Sequence, residues 1–167
     1  MNNADPESQS LIAQLLLLVV LTFINAFLAA AEIAVVSVNK NRVEQKAEDG
    51  DAKAQKLLKV LQDPNNFLST IQVGITLVNI LSGASLAETL SSRLAPVLGG
   101  GAAAKSLASI IILALLTYVS IVFGELYPKR IAMNKSEEVA QLTSGAVRFL
   151  GVIARPFVWL LSASTDL

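Results

Sequence analysis

Apolar residues dominate three stretches of the chain, and polar residues interrupt each stretch at helical spacing. Residues 11–36 read LIAQLLLLVVLTFINAFLAAAEIAVV, with Gln14, Thr22, Asn25 and Glu32 as the polar positions. At about 1.5 Å per residue such a helix exceeds the roughly 30 Å hydrocarbon thickness of a bilayer, so the pattern predicts a transmembrane helix. A cleavable leader is the competing reading, because Ala29, Ala30 and Ala31 follow an apolar run. Against it, the preceding residues carry Asp5 and Glu7 and no Lys or Arg, and the apolar pattern continues past the alanines.

Residues 39–66 change character, interleaving Lys40, Arg42, Lys46, Lys53, Lys56 and Lys59 with Glu44, Glu48, Asp49, Asp51 and Asp63. Val43, Ala47, Ala54, Leu57, Leu58 and Leu61 recur at roughly helical spacing around Gly50. This predicts two short amphipathic helices against the membrane or a partner, or else a solvated helical hairpin. From Phe67 to about Leu90 the chain is long enough to span, yet Ser69, Gln72, Thr76, Asn79 and Gly83 fall on one helical face that must meet protein or water rather than lipid. A loop with Pro96 and three glycines leads to a third apolar run, Leu107 to Phe123. Residues 137–162 place Glu137, Gln141, Ser144, Arg148 and Arg155 on one face, with Val139, Leu142, Phe149, Ile153, Phe157 and Leu160 largely elsewhere. Two arginines and Pro156 favour an interfacial, juxtamembrane helix over a fourth span.

Basic residues set the expected orientation. Lys40, Arg42 and Lys46 follow the first span and Lys129, Arg130 and Lys135 follow the third, so the positive-inside rule puts both flanks in the cytoplasm and the amino terminus outside. The expected organisation is an extracytoplasmic tail over 1–10, a three-span domain over 11–136 with a cytoplasmic helical insert at 39–66, and a juxtamembrane helix over 137–167. The fold class is all-α integral membrane.

Composition narrows the chemistry. Mean hydropathy is +0.59, and thirteen Lys plus Arg balance thirteen Asp plus Glu, which leaves no excess positive charge for a nucleic acid. The absence of cysteine and histidine removes thiolate and imidazole ligands and the usual nucleophilic pairs. An intramembrane enzyme is therefore not expected, and any metal must be a hard cation bound by oxygen. Residues 99–106, GGGAAAKS, narrowly miss a phosphate-binding loop, but the strand that such a loop must follow is missing.

Candidate ligands lie inside the spans. Ala26, Ala30 and Ala34 form a small-residue stripe suited to close helix packing. On the neighbouring face, Thr22, Asn25, Ala29 and Glu32 repeat the spacing of the second span's polar face. An ionisable group at membrane depth costs at least about 2.5 kcal/mol unless paired or hydrated. Glu32 is thus a functional candidate, or a structural one if it reaches Lys40 or Arg42 at the interface. The strongest local signal is GELYPKR, residues 124–130. Pro128 has no amide hydrogen, so the Gly124 carbonyl loses its helical partner beside the Glu125 carboxylate. With oxygens from the first two helices, this is what a cation site at a broken transmembrane helix requires. The alternative is a kinked helix end with Glu125 bridged to Lys129, four residues on.

Three strings, NAFLAAAEIAVVSVNKNRVE (25–44), FLSTIQVGITLVNILSGA (67–84) and FGELYPKRIA (123–132), closely resemble the signature stretches of the transmembrane domain of the CNNM/CorC (cyclin-M and haemolysin-C-like) magnesium and divalent-cation transporters. The resemblance implies a homodimer through transmembrane helices. It also implies a dehydrated Mg²⁺ site in each subunit and export of Mg²⁺ from the cytoplasm. A non-transporting membrane sensor that regulates another channel is the alternative. Most members continue into paired nucleotide-binding CBS modules, so the resemblance also implies that this chain is part of a longer protein. Asn79, Glu125 and Gly124 match the family pattern. Ala29 and Ala31 stand where many members carry serines, and Ile75 where many carry a second asparagine. The expected site is therefore Asn79, Glu125 and Gly124, completed by Thr76, Asn25 or water.

Overall fold

The computed structural model describes residues 6–165, with side chains described outside 6–10, 83–85, 153–155, 157, 158, 160–163 and 165. Gly83 of the second span's polar face, and Ile153, Arg155, Phe157 and Leu160 of the last segment, fall outside the described residues. Helix α1 (Pro6–Ser37) already begins within the stretch expected as a tail. Two short helices follow, α2 (Lys40–Glu48) and α3 (Ala52–Gln62), joined by a turn at Gly50 with φ +93°. Then come α4 (Pro64–Leu94) and α5 (Gly101–Ile121). A π-helical segment, Val122–Leu126, runs directly into α6 (Tyr127–Asn134), and α7 (Ser136–Thr165) ends the described chain.

Local chemistry sets these boundaries. Asn39 caps α2 by accepting from the Arg42 amide at 3.2 Å. Asp51 caps α3 through the amides of Lys53 at 2.8 Å and Ala54 at 3.3 Å. Asp63 caps α4 through the Asn66 amide at 3.4 Å, ahead of Pro64, which needs no partner for an amide hydrogen it lacks. Three helical stretches are long and apolar enough to cross a membrane: Leu11–Ser37, Pro64–Leu94 and the continuous rod Gly101–Asn134. The protein is a multi-pass, all-α membrane protein.

The main core lies at the end of the bundle that carries Lys40, Arg42, Lys129 and Lys135. There Leu28, Ala31 and Ala34 of α1 meet Ile71 and Ile75 of α4, Leu57 of α3, Ala132 of α6 and Val147 of α7. Ala34 of the small-residue stripe is fully buried in this core, whereas Ala26 and Ala30 line an open apolar groove between α1 and the third span. Toward the other end, Leu16, Val20, Phe23, Leu107 and Ile110 point outward, as expected of surfaces solvated by lipid.

The insert and α7 pack as follows. The insert covers its apolar face within its own chain. Val43, Ala47, Ala54, Leu57 and Val60 are buried in the same core as α1, α4 and α7, so the two expected amphipathic helices form but rest on their own chain rather than on the membrane or a partner, and are not a solvated hairpin. Helix α7 does not divide cleanly into a polar and an apolar face: Arg148 is exposed, and Ala140 and Val147 are buried in the core. Thr143 and Ser144 are buried, and Glu137 is clasped by Arg42 at 3.2 Å and by Lys46, while Leu142, Phe149, Val152 and Trp159 face out. The basic insert supplies partners for Glu137 at the start of α7, and Leu142, Phe149, Val152 and Trp159 remain available to meet lipid.

Leu57→Ala should therefore lower stability by about 2–4 kcal/mol, because its neighbours cannot collapse into the vacated space. Leu77→Ala, on the outward face of α4, should stay within about 0.5 kcal/mol of the parent. Thermal melting of the two detergent-solubilised variants checks the contrast.

Candidate cation site

A cavity of about 220 Å³ lies between α1, α4, α5 and the π segment. Its polar lining is Asn25 from α1, Asn79 and Ser82 from α4, Thr117 and Ser120 from α5, and Glu125 from the π segment. Leu18, Leu113, Leu116 and Ile121 complete the wall. Asn79 is the midpoint of the span Pro64–Leu94, and Asn25 lies one residue past the midpoint of Leu11–Ser37. Polar groups from all three spans thus converge near mid-span depth.

Hydrogen bonding separates committed groups from available ones. Ser and Thr hydroxyls on these helices mostly bond back to the carbonyl one turn earlier, as Thr70 does to Asn66, Thr76 to Gln72 and Ser82 to Val78, at 2.8–2.9 Å. Thr117 and Ser120 are not among the residues that make such a bond. Asn25 is 3% exposed, and its Oδ1 accepts no hydrogen bond. A buried amide oxygen without a partner is costly unless a ligand or water reaches it.

The π segment sets the approach of the third span to α1. The Tyr127 amide donates to Val122, five residues back, and Pro128 has no amide to give. The Phe123 carbonyl therefore loses both its i+4 and i+5 donors, and the Gly124 carbonyl has only the i+5 amide of Lys129 within helical reach. The shortage of donors expected at Gly124 thus extends to Phe123, because the wider winding moves the register by one residue. Gly124 is buried against Asn25: a methyl group there would lie 3.0 Å from the Asn25 side-chain nitrogen.

Below the cavity, Lys129 Nζ lies 3.0 Å from Glu125 Oε1 and 3.0 Å from Glu32 Oε2. Glu125 is bridged to its i+4 lysine, as the kinked-helix alternative requires, while it also lines the cavity. Glu32 pairs with Lys129 and not with Lys40 or Arg42. Lys40 is 3.8 Å from Glu44, and Arg42 is drawn to Glu137.

Of the expected site residues, the structure brings Asn25, Asn79 and Glu125 to one cavity, with Gly124 packed behind Asn25. Thr76 is exposed and does not line it. Ile75 is buried at 7% exposure, and Ala29 and Ala31 are fully buried, so the positions that differ from the family pattern lie in the core. Sequence reasoning missed Ser82, Thr117 and Ser120. Thr117, Ser120 and Gly124 repeat the i, i+3, i+7 spacing that marked the polar faces of the first two spans, so the signal was present in the third.

Comparison with known proteins identifies the family. The family described as Cyclin M transmembrane N-terminal domain matches residues 16–167. A UPF0053 protein of Synechocystis sp. is 40% identical over 95% of this chain and 36% of its own length. The UPF0053 protein YhdT of Bacillus subtilis is 32% identical over 93% of this chain and 35% of its own. A protein of Haemophilus influenzae named polyamine export protein is 32% identical over 87% and 34%. The chain spans about a third of the length of these relatives.

The contact between Gly124 and Asn25 predicts that Gly124→Ala costs about 1–3 kcal/mol by pushing the amide off the π segment. Gly145→Ala on α7, where a methyl group meets open space, should instead gain up to about 1 kcal/mol from helix propensity. Melting temperatures moving in opposite directions are the expected result.

Proposed function

Because the chain belongs to the cyclin M transmembrane-domain family, we propose that it is the membrane part of a divalent-cation transporter that exports Mg²⁺ from the cytoplasm. The observation that carries the reading is the mid-span cavity in which the unsatisfied Asn25 oxygen shares a wall with Asn79 and Glu125. A hard cation takes oxygen ligands. Glu125 supplies charge compensation, Asn25 and Asn79 supply neutral oxygens, and Thr117 and Ser120 supply uncommitted hydroxyls. At about 30 Å³ per water, the cavity holds an ion that keeps several waters. Closure of the three helices on Glu125 would strip the rest.

In this reading the positive-inside rule puts the basic end with α2, α3 and α7 in the cytoplasm and the amino terminus outside. A homodimer accompanies this reading. Gln72, Thr76 and Asn79 form an exposed polar stripe on a membrane span of the single chain, and such a stripe is costly against lipid. In a second reading the cargo is an organic polycation, as the name of the Haemophilus relative suggests. It is favoured by the primary ammonium of Lys129 already seated between two carboxylates.

Flux into proteoliposomes separates these readings. Mg²⁺ should be carried by the parent, abolished by Glu125→Ala, and weakened but retained in Glu32→Ala. Asn79→Ala should raise the half-saturating Mg²⁺ concentration roughly tenfold. Spermidine flux without Mg²⁺ flux would select the second reading, and no flux of either would leave a sensor. Millimolar Mg²⁺ should also raise the melting temperature, since an ion that binds the folded state stabilises it by mass action.

A further inference from the structure

Lys129 belongs to α6, yet its ammonium joins two carboxylates from different elements, Glu32 of α1 and Glu125 of the π segment, at 3.0 Å each. All three side chains are between about one quarter and two fifths exposed, so the cluster is partly shielded from solvent. It carries one net negative charge. Only Glu125 of the three lines the cavity. A cation entering there meets a carboxylate whose charge is already partly neutralised from behind.

We propose that Lys129 is a tethered counter-ion that competes with the divalent cargo for Glu125, and that Glu32 is the site to which it retreats when the cargo binds. This deepens the transporter reading and rests on it. A divalent ion on Glu125 repels the ammonium, and a lysine with four rotatable carbons can move without disturbing the helix. Glu32 gives the displaced charge a partner, so Lys129 need not be left bare in a partly buried place. When cargo leaves, Lys129 returns to Glu125 and keeps the empty site from holding an unpaired carboxylate. The device keeps affinity low enough for release, which conduction through a membrane site requires as much as entry.

Two features set this arrangement apart from an ordinary structural ion pair. The i+4 pair of Glu125 and Lys129 would suffice to hold the helix end. Glu32 adds a second carboxylate at equal distance from another helix, with its Oε2 not yet hydrogen-bonded while Glu125 accepts the Lys129 hydrogen bond, and it does so although Lys40 and Arg42 follow α1 closely in sequence. Those cations are engaged elsewhere, by Glu44 and Glu137. Lys129 therefore has two alternative partners, and Glu32 has Lys129.

The test measures Mg²⁺-dependent thermal stabilisation of the purified chain in detergent, titrated with MgCl₂. In Lys129→Met the competitor is gone, and half-maximal stabilisation should occur at about tenfold lower Mg²⁺ than in the parent, a typical coupling between contacting charges. Lys129→Arg, which keeps the charge, should stay within about twofold of the parent. In Glu32→Gln the displaced lysine has no second partner, so the midpoint should rise severalfold. In the double variant Lys129→Met/Glu32→Gln that rise should vanish. A direct ligand role for Glu32 predicts instead the same loss in both backgrounds, which overturns the proposal. A midpoint unchanged or raised in Lys129→Met overturns it too, as a purely structural lysine would give. If Lys129→Met fails to fold, Glu32→Gln and Lys129→Arg still decide, because an unchanged midpoint in Glu32→Gln contradicts the retreat. No Mg²⁺ response in the parent defeats the transporter reading and this inference together. A response in the parent with an additive double variant defeats the inference alone.

Discussion

Polar groups inside a bilayer must find partners within the protein, and the fold divides them by whether one helix can supply the partner. A serine or threonine can bond to a carbonyl of its own helix, and Thr70, Thr76, Ser82, Ser106 and Ser109 do so. Asn25, Asn79, Glu32 and Glu125 gain no such bond. They must be gathered between helices, and the three spans pack so that they are. The cavity and the Lys129 cluster are the two places where they gather: in the cluster Lys129 pairs with both carboxylates, and in the cavity the Asn25 oxygen is left without a partner.

The gathering depends on the irregular third span. A regular α-helix through 122–128 would satisfy its own carbonyls up to the proline and would have no reason to press a glycine against α1. The π winding adds a residue to the turn, shifts Pro128's missing donor onto the Phe123–Gly124 carbonyls, and sets Glu125 on the cavity wall while Lys129 lies behind it. Gly124 has no side chain to obstruct the approach, and Asn25 fills the space that a larger residue would need. One local distortion therefore brings together a carboxylate, a carbonyl short of donors and an amide oxygen without a partner.

The spans and much of the site were legible because they follow from periodicity. The polar residues of the first two spans fall on single helical faces, which was enough to bring Asn25 and Asn79 to the cavity, and the proline after Glu125 announced an irregular helix, which takes the form of a π segment within a continuous rod rather than a break. What was not legible depends on choices between partners. Glu32 had Lys40 and Arg42 near it in sequence, but Glu137, far away along the chain, captures Arg42 and Lys46. Lys40 pairs with Glu44, and Lys129 is the cation that reaches Glu32. The charge cluster below the cavity thus depends on long-range pairings, which no local pattern contains. Thr117 and Ser120 were missed for a simpler reason, since a strongly apolar run hides two hydroxyls unless the spacing rule is applied to it as well.

Packing explains why the cavity is where it is. Toward the basic end, a continuous core joins α1, α4, α6 and α7 to the insert, and its buried alanines let the backbones approach closely. At the far end a second buried seam, with Leu86 and Ser91 of α4 and Ala104, Ala108 and Ile112 of α5, holds the hairpin of the last two spans together. The cavity falls between these two packed regions, and its polar residues occupy the level where neither core reaches. Small residues at that level would have let the helices close, and large apolar ones would have filled the gap. Ser82 and Glu125 have partners in Val78 and Lys129, but the Asn25 oxygen needs one that packing alone does not provide. The discontinuity in packing and the uncommitted oxygen atoms are therefore one feature, and a cation with its remaining water is the kind of occupant that satisfies both.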